Sequence, residues 1–232
     1  RCEETFGEDP VLVSQIGGAW IKGYQSKGLF TTPKHFGGHG APLGGRDSHD
    51  IGLSEREMRE IHLVPFRHVI RNYACQSLMM AYSDFLGVPV AKSKELLRNI
   101  LREEWGFDGF VVSDCGAIGV MNWQHRIVNS LEEAAALGIN SGCDLECGGT
   151  YRENLVAAVQ RGLVSEYAID RALTRVLTMR FKLGEFDPIE LVPYNHYDKK
   201  LLAGEQFRRL AYEAAVKSII LLKNEDNFLP ID

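Results

Sequence analysis

Asp114 stands at the end of the run Gly109-Phe110-Val111-Val112-Ser113 and is followed by Cys115-Gly116-Ala117. The five preceding residues can form a buried strand, which leaves a carboxylate at its terminus. Such a group is costly there unless partners hold it. It can serve as a structural ion pair or a helix cap, or as a poised nucleophile or base. Displacement at an acetal carbon needs one ionised carboxylate against that carbon and a second group to protonate the leaving oxygen. Lys34 and His35 form a second constellation, two donors side by side at the end of a short β-like run. The adjacent hydroxyls of a sugar ring are a target such a pair can grip. The bland reading is a solvated lysine and a loop histidine.

The loop over residues 37–45 holds Gly37, Gly38, Gly40, Gly44 and Gly45. It lacks the G-x-G-x-x-G register and the G-K-[ST] ending of phosphate cradles, and Pro42 removes a backbone donor. Nucleotide binding is therefore not expected. His35 and His39 have the i, i+4 spacing of helical metal ligands, but the glycines around them argue against a helix, and no metal site is expected. Asp47 and His49 lie close enough for the carboxylate to orient the ring. Loop hydrogen bonding explains them as well, and Ser48 has no nucleophile elbow around it.

These residues need elements to position them. Leu29-Phe30-Thr31-Thr32 reads as a short strand and Ser77-Leu78-Met79-Met80-Ala81-Tyr82 as the next. Residues 109–114 form the strongest strand, and a short one ends near Asp144. Between them, Ser54 and Glu57 form a capping box, and Pro65 kinks or divides the helix that follows. Ser93 caps an amphipathic helix with Leu96, Leu97, Ile100 and Leu101 on one face, ended by Gly106. Ser130 and Glu133 open another helix, and residues 151–161 and 165–183 two more, the last closed by Gly184. Strand–helix alternation with apolar strands predicts an α/β fold with a parallel sheet. Polar or ionisable groups follow four strands: Lys34 and His35; Tyr82 and Asp84; Asp114; Asp144. Chemistry at strand C-termini suits a (β/α) barrel, and a doubly wound sheet less well.

The chain has 232 residues, 45% of them apolar and 25% charged, so a large folded core is expected rather than disorder. The net charge of -5 has no long single-sign runs, which excludes the basic footprint of a nucleic-acid binder. No stretch is long enough to span a membrane. The five cysteines are an odd number in a long chain, so no disulfide framework is expected, and Cys143 and Cys147 read as two buried thiols. The sequence starts at Arg1 inside what reads as a loop and stops just after a strand-like run, as an internal piece of a longer polypeptide would. The expected organisation is a barrel portion over residues 1–185, a linker over 186–205, and the start of a second α/β sandwich domain over 206–232. Within that last part Ser218-Ile219-Ile220-Leu221-Leu222 reads as its first buried strand.

Together these segments resemble glycoside hydrolase family three. The matching pieces are Arg1-Cys2-Glu3-Glu4-Thr5-Phe6-Gly7-Glu8-Asp9-Pro10, Lys34-His35-Phe36-Gly37-Gly38-His39-Gly40, Met80-Ala81-Tyr82, Glu104-Trp105-Gly106-Phe107-Asp108 continuing to Asp114, and Val216-Lys217-Ser218-Ile219-Ile220-Leu221-Leu222-Lys223-Asn224. They occur in the family's order over nearly the whole chain. The resemblance implies a TIM-barrel-like catalytic domain followed by an α/β sandwich. It also implies a retaining exo-acting β-glucosidase that works by double displacement on a β-glucoside oligosaccharide or aryl glycoside, without a cofactor. Asp114 falls on the family's nucleophile. Arg1, Lys34 and His35 fall on residues that bind the terminal sugar, Arg46 on a further basic one, and Tyr82 on the tyrosine near the nucleophile. Many β-glucosidases of the family have Trp where Cys115 stands. The usual acid/base glutamate lies beyond Asp232. A β-xylosidase is the neighbouring alternative. A β-N-acetylglucosaminidase using Asp47 and His49 as an acid/base pair is another, though the gap from residue 40 to 47 is longer than in those enzymes. A non-catalytic sugar-binding module on the same scaffold is the non-enzyme alternative. A secreted or periplasmic address is favoured over the cytoplasm, and the oligomeric state is left open.

Overall fold

The computed structural model describes residues 4–45 and 48–231. The chain forms two compact units, Arg1–Phe186 and Asp187–Asp232. In the first unit, helix α1 (Pro10–Gln25) starts with Asp9 accepting the Leu12 amide and Pro10 at its first position. That proline's missing N–H costs nothing there. The Ser54–Glu57 capping box is formed, and a widened π turn over Met58–His62 leads into α2 (Val64–Tyr73). Pro65 sits in the first turn of α2, so the break falls where a proline forces it. Strand β1 (Ser77–Met80) is followed by a small antiparallel hairpin, β2 (Asp84–Phe85) and β3 (Val88–Pro89).

Helix α3 (Glu95–Glu104) follows Ser93, whose hydroxyl accepts the Leu96 amide. It is wound in the wider π register, and Leu96, Leu97, Ile100 and Leu101 are all buried. Gly106 takes the left-handed conformation after it. Strand β4 (Phe110–Ser113) then runs parallel to β1, with Leu78 opposite Val111 and Met80 opposite Ser113. The helices α4 (Ala117–Trp123), α5 (Leu131–Ser141), α6 (Thr150–Gln160) and α7 (Glu166–Lys182) complete the unit.

Two single bridges extend the β1–β4 pair, Phe36 with Met80 on one side and Val112 with Leu145 on the other, both parallel. Four extended segments therefore lie side by side in chain order, an α/β arrangement with the helices packed on it. Leu78, Met80, Val111, Ile118 and Met121 form the centre of the core, all fully buried. The first strand is displaced from its expected place. The amide and carbonyl bonds to β1 come from Pro33 and Phe36, whereas residues 29–32 are irregular. A β-like composition over residues 29–32 did not decide the pairing; the register against Met79 did.

The second unit contains α8 (Glu205–Ser218) and short 3₁₀ turns. The strand expected at Ser218 to Leu222 is not formed. Residues 219–222 are irregular, and Leu222 is 92% exposed. A strand needs a neighbour to receive its amides and carbonyls, and the described residues of this unit provide none.

Candidate active site

Asp114 sits where β4 ends. Its amide still completes the ladder by donating to the Met80 carbonyl, 3.0 Å away. Its side chain then turns into a site formed by the segments on either side. Oδ1 accepts the Cys115 amide at 2.8 Å, and Oδ2 lies 3.3 Å from His35 Nε2. The residue is 8% exposed, which keeps water largely off the carboxylate without sealing it.

His35 is brought there because Phe36 pairs with β1, which places the preceding residue at the C-terminal edge of the strands. The Lys34–His35 peptide is cis. The chain then reverses through Gly37 and Gly38, both in the left-handed region. A Cβ at Gly37 would come within 2.6 Å of Val90, and one at Gly38 within 2.8 Å of Ile51. The glycines are thus required by sterics and backbone angle rather than by a phosphate. This reversal returns His39 to the site, with its ring centroid 4.3 Å from that of His35. His39 is buried. Sequence spacing singled it out only as a helical metal ligand, but the two histidines meet across a tight turn.

His35, His39 and Asp114 offer ligand atoms that all lie within 4.8 Å of one another. Two imidazole nitrogens and a carboxylate can grip hydroxyls, and the same donor set is compatible with a divalent cation.

Tyr82 follows β1 and is half-buried. Its hydroxyl donates to the Cys115 carbonyl, and its ring centroid lies 6.0 Å from that of His39. Behind it, His125 bonds the Tyr82 carbonyl through Nε2 at 3.1 Å, and its Nδ1 is 3.0 Å from Asp84 Oδ1. The Asp84–His125 pair had no sequence signal of its own.

Cys115 and Cys147 form a disulfide, with Cα atoms 4.4 Å apart. This corrects the expectation that Cys147 is a buried thiol; Cys143 is one, as is Cys75. The pairing follows from strand register. Val112 bridges Leu145, so the chains emerge side by side, and the Ser113 hydroxyl accepts the Cys147 amide at 3.1 Å while Gly116 donates to the Cys147 carbonyl. An odd cysteine count hid a pair that only the register brings together.

The remaining expected residues divide. Lys34 is exposed and forms no ion pair among the described residues. His49 is exposed, and its carbonyl accepts the Asp84 amide. Arg1, Arg46 and Asp47 lie outside the described residues. Asp144 does not stand at the strand C-termini. Its Oδ2 accepts the Val111 amide at 2.9 Å, toward the other end of β4, and its side chain is 1% exposed between Arg102 and Arg175. Two guanidinium partners satisfy this deeply buried carboxylate, a structural role.

The family model described as the N-terminal domain of glycosyl hydrolase family 3 matches residues 1–179. The chain belongs to glycosyl hydrolase family 3. Among relatives of this family 3 chain, a β-xylosidase of Formosa agariphila is 37% identical over 250 aligned positions, covering 100% of the chain and 34% of its own length. A solved β-glucosidase of Erythrobacter marinus superposes with a TM-score of 0.90 at 35% identity, covering 100% of the chain and 32% of its own. The β-glucosidase of Listeria innocua in complex with glucose superposes with a TM-score of 0.88 at 31% identity, covering 100% and 33%. The chain thus spans about a third of the length of these family 3 relatives.

Proposed function

We propose that this chain carries the nucleophile of a retaining exo-acting β-glycosidase. The observation that carries the reading is the Asp114 carboxylate, nearly buried at the end of β4, with His35 Nε2 3.3 Å from one oxygen and the Cys115 amide on the other. In this reading Asp114 attacks the anomeric carbon while a second group protonates the departing oxygen, and a glycosyl ester forms. Water then releases the sugar with retained configuration, which in retaining enzymes goes with carboxyl groups about 5–5.5 Å apart. His35 and His39 hold hydroxyls of the terminal sugar, and Tyr82 orients the segment that follows the nucleophile.

The terminal sugar in this proposal is a β-D-xylosyl residue, with β-D-glucosyl as the rival. The Formosa agariphila relative named a β-xylosidase supports the pentose. So does the disulfide at Cys115, which stands where many β-glucosidases of the family carry a tryptophan and fixes the rim beside Asp114. The solved relatives named β-glucosidases support the rival.

The test uses the longer protein that contains this chain. Asp114→Asn is expected to lose at least a thousandfold in kcat on aryl β-glycosides while keeping its unfolding midpoint. A 2-deoxy-2-fluoro glycoside should add one glycosyl mass to a peptide containing Asp114. Label on another residue, or Asp114→Asn retaining more than a few per cent of activity, would remove the assignment. A kcat/KM on the aryl β-glucoside above that on the aryl β-xyloside would select the rival sugar.

A further inference from the structure

Asp114 Oδ1 takes the Cys115 amide, which leaves Oδ2 as the oxygen turned toward His35. Oδ2 is buried and accepts no hydrogen bond among the described residues, with His35 Nε2 3.3 Å from it. The His39 imidazole stands beside that pair, its ring centroid 4.3 Å from that of His35. One ligand atom from each of the three side chains lies within 4.8 Å of the other two. The side chains of His35 and Asp114 are 7% and 11% exposed, and His39 is buried. The turn that delivers His39 runs through Gly37 and Gly38, packed against Val90 and Ile51, so the two rings are held side by side by the fold.

The spacing has a chemical meaning. A tetrahedral zinc ion with bonds of about 2.0–2.2 Å to nitrogen and oxygen holds neighbouring ligand atoms about 3.3–3.5 Å apart. The His35–Asp114 separation already has that value. Bringing His39 to it takes a movement of no more than about 1.5 Å, within the reach of a rotation about its side-chain torsions. Two imidazoles and one carboxylate are a ligand set of open zinc sites, in which the fourth position goes to water or to another ligand. Magnesium and calcium take six or more oxygens, which a set with two ring nitrogens does not supply.

We propose that His35, His39 and Asp114 bind a zinc ion, and that the ion acts as a reversible inhibitor seated on the nucleophile. A metal bound to Oδ2 engages the lone pair that would attack the anomeric carbon. It also fills the space between the histidines and the carboxylate where the terminal sugar would sit, so metal and sugar exclude each other. The binding stands on the geometry of the three side chains. The inhibition rests on the glycosidase reading.

The test uses the longer protein that contains this chain, stripped with chelator and then titrated calorimetrically with zinc chloride, with magnesium chloride as the control. Saturable binding of zinc and none of magnesium is expected. Losing even a supporting partner of a metal ligand costs about 10–100-fold in affinity, so His39→Gln and Asp114→Asn should each weaken zinc roughly tenfold or more. His196→Gln, in the second unit, should leave the affinity unchanged. Xylose or glucose should lower the apparent zinc affinity of the wild type, a readout that needs no variant to fold. In turnover, zinc should raise KM for an aryl β-glycoside without lowering kcat, and chelator should reverse the effect. No saturable zinc binding would overturn the proposal, as would simultaneous binding of zinc and sugar or undiminished affinity in both His39→Gln and Asp114→Asn. The two readings separate cleanly. An Asp114→Asn that keeps turnover but loses zinc would remove the glycosidase reading and leave the metal site. One that loses turnover but keeps zinc would remove the metal site and leave the glycosidase reading.

Discussion

Replacing both Cys115 and Cys147 by alanine tests how far the bridge beside Asp114 supports the fold. The two residues are 32 apart in sequence. Closing a loop of that length in the unfolded chain corresponds to about 3.5–4 kcal/mol in the chain-entropy account. For a chain of this size a loss of that order lowers Tm by on the order of 10 °C. The bridge also fixes the Cys115 carbonyl, the acceptor of the Tyr82 hydroxyl, so the loss should be felt at the site and not only in stability. The measurements are denaturant unfolding of wild type and double variant without reductant, and alkylation followed by mass analysis. Cys115 and Cys147 should take up label only after reduction. A stability change under about 1 kcal/mol, small against what such a loop should give, would refute the reasoning. So would labelling of both thiols in the native, unreduced protein.

Asp144→Ala leaves Arg102 and Arg175 buried without their carboxylate and is expected to cost about 3–5 kcal/mol in denaturant unfolding. Gly37→Ala forces a side chain into a left-handed backbone and against Val90, so a loss of about 1–3 kcal/mol is expected. Burial pushes the Cys75 thiol up to about 11 from an ordinary 9.0. The folded state therefore holds this proton more tightly than the unfolded one. The contribution to stability is complete below pH 9 and declines as pH rises from 9 toward 11. Native Cys75 should accordingly resist thiol reagents at pH 9, with labelling appearing only on unfolding. Rapid labelling of the native protein at that pH would contradict the burial.

The sequence by itself determined a good deal. The run from Gly109 to Asp114 marked the strand and the carboxylate at its end, because a largely apolar stretch closed by one ionisable residue leaves few alternatives. The capping residues Ser54, Ser93 and Ser130 set their helix starts through local hydrogen bonds, and Pro65 set a break by its missing donor. These signals act within a few residues, so they can be read along the chain.

What the tertiary structure alone decided depends on neighbours in space. The Cys115–Cys147 bond, the meeting of His35 with His39 over Asp114, and the Asp84–His125 support behind Tyr82 all follow from which strands lie side by side and in what register. Asp144 looked like Asp114 in the sequence, a carboxylate near a strand, yet it pairs with two arginines while Asp114 faces histidines. The strand expected over residues 218–222 failed for the same reason in reverse. Its apolar residues carry the pattern, but a strand exists only through hydrogen bonds to a second one, and that partner is a property of the fold rather than of the segment.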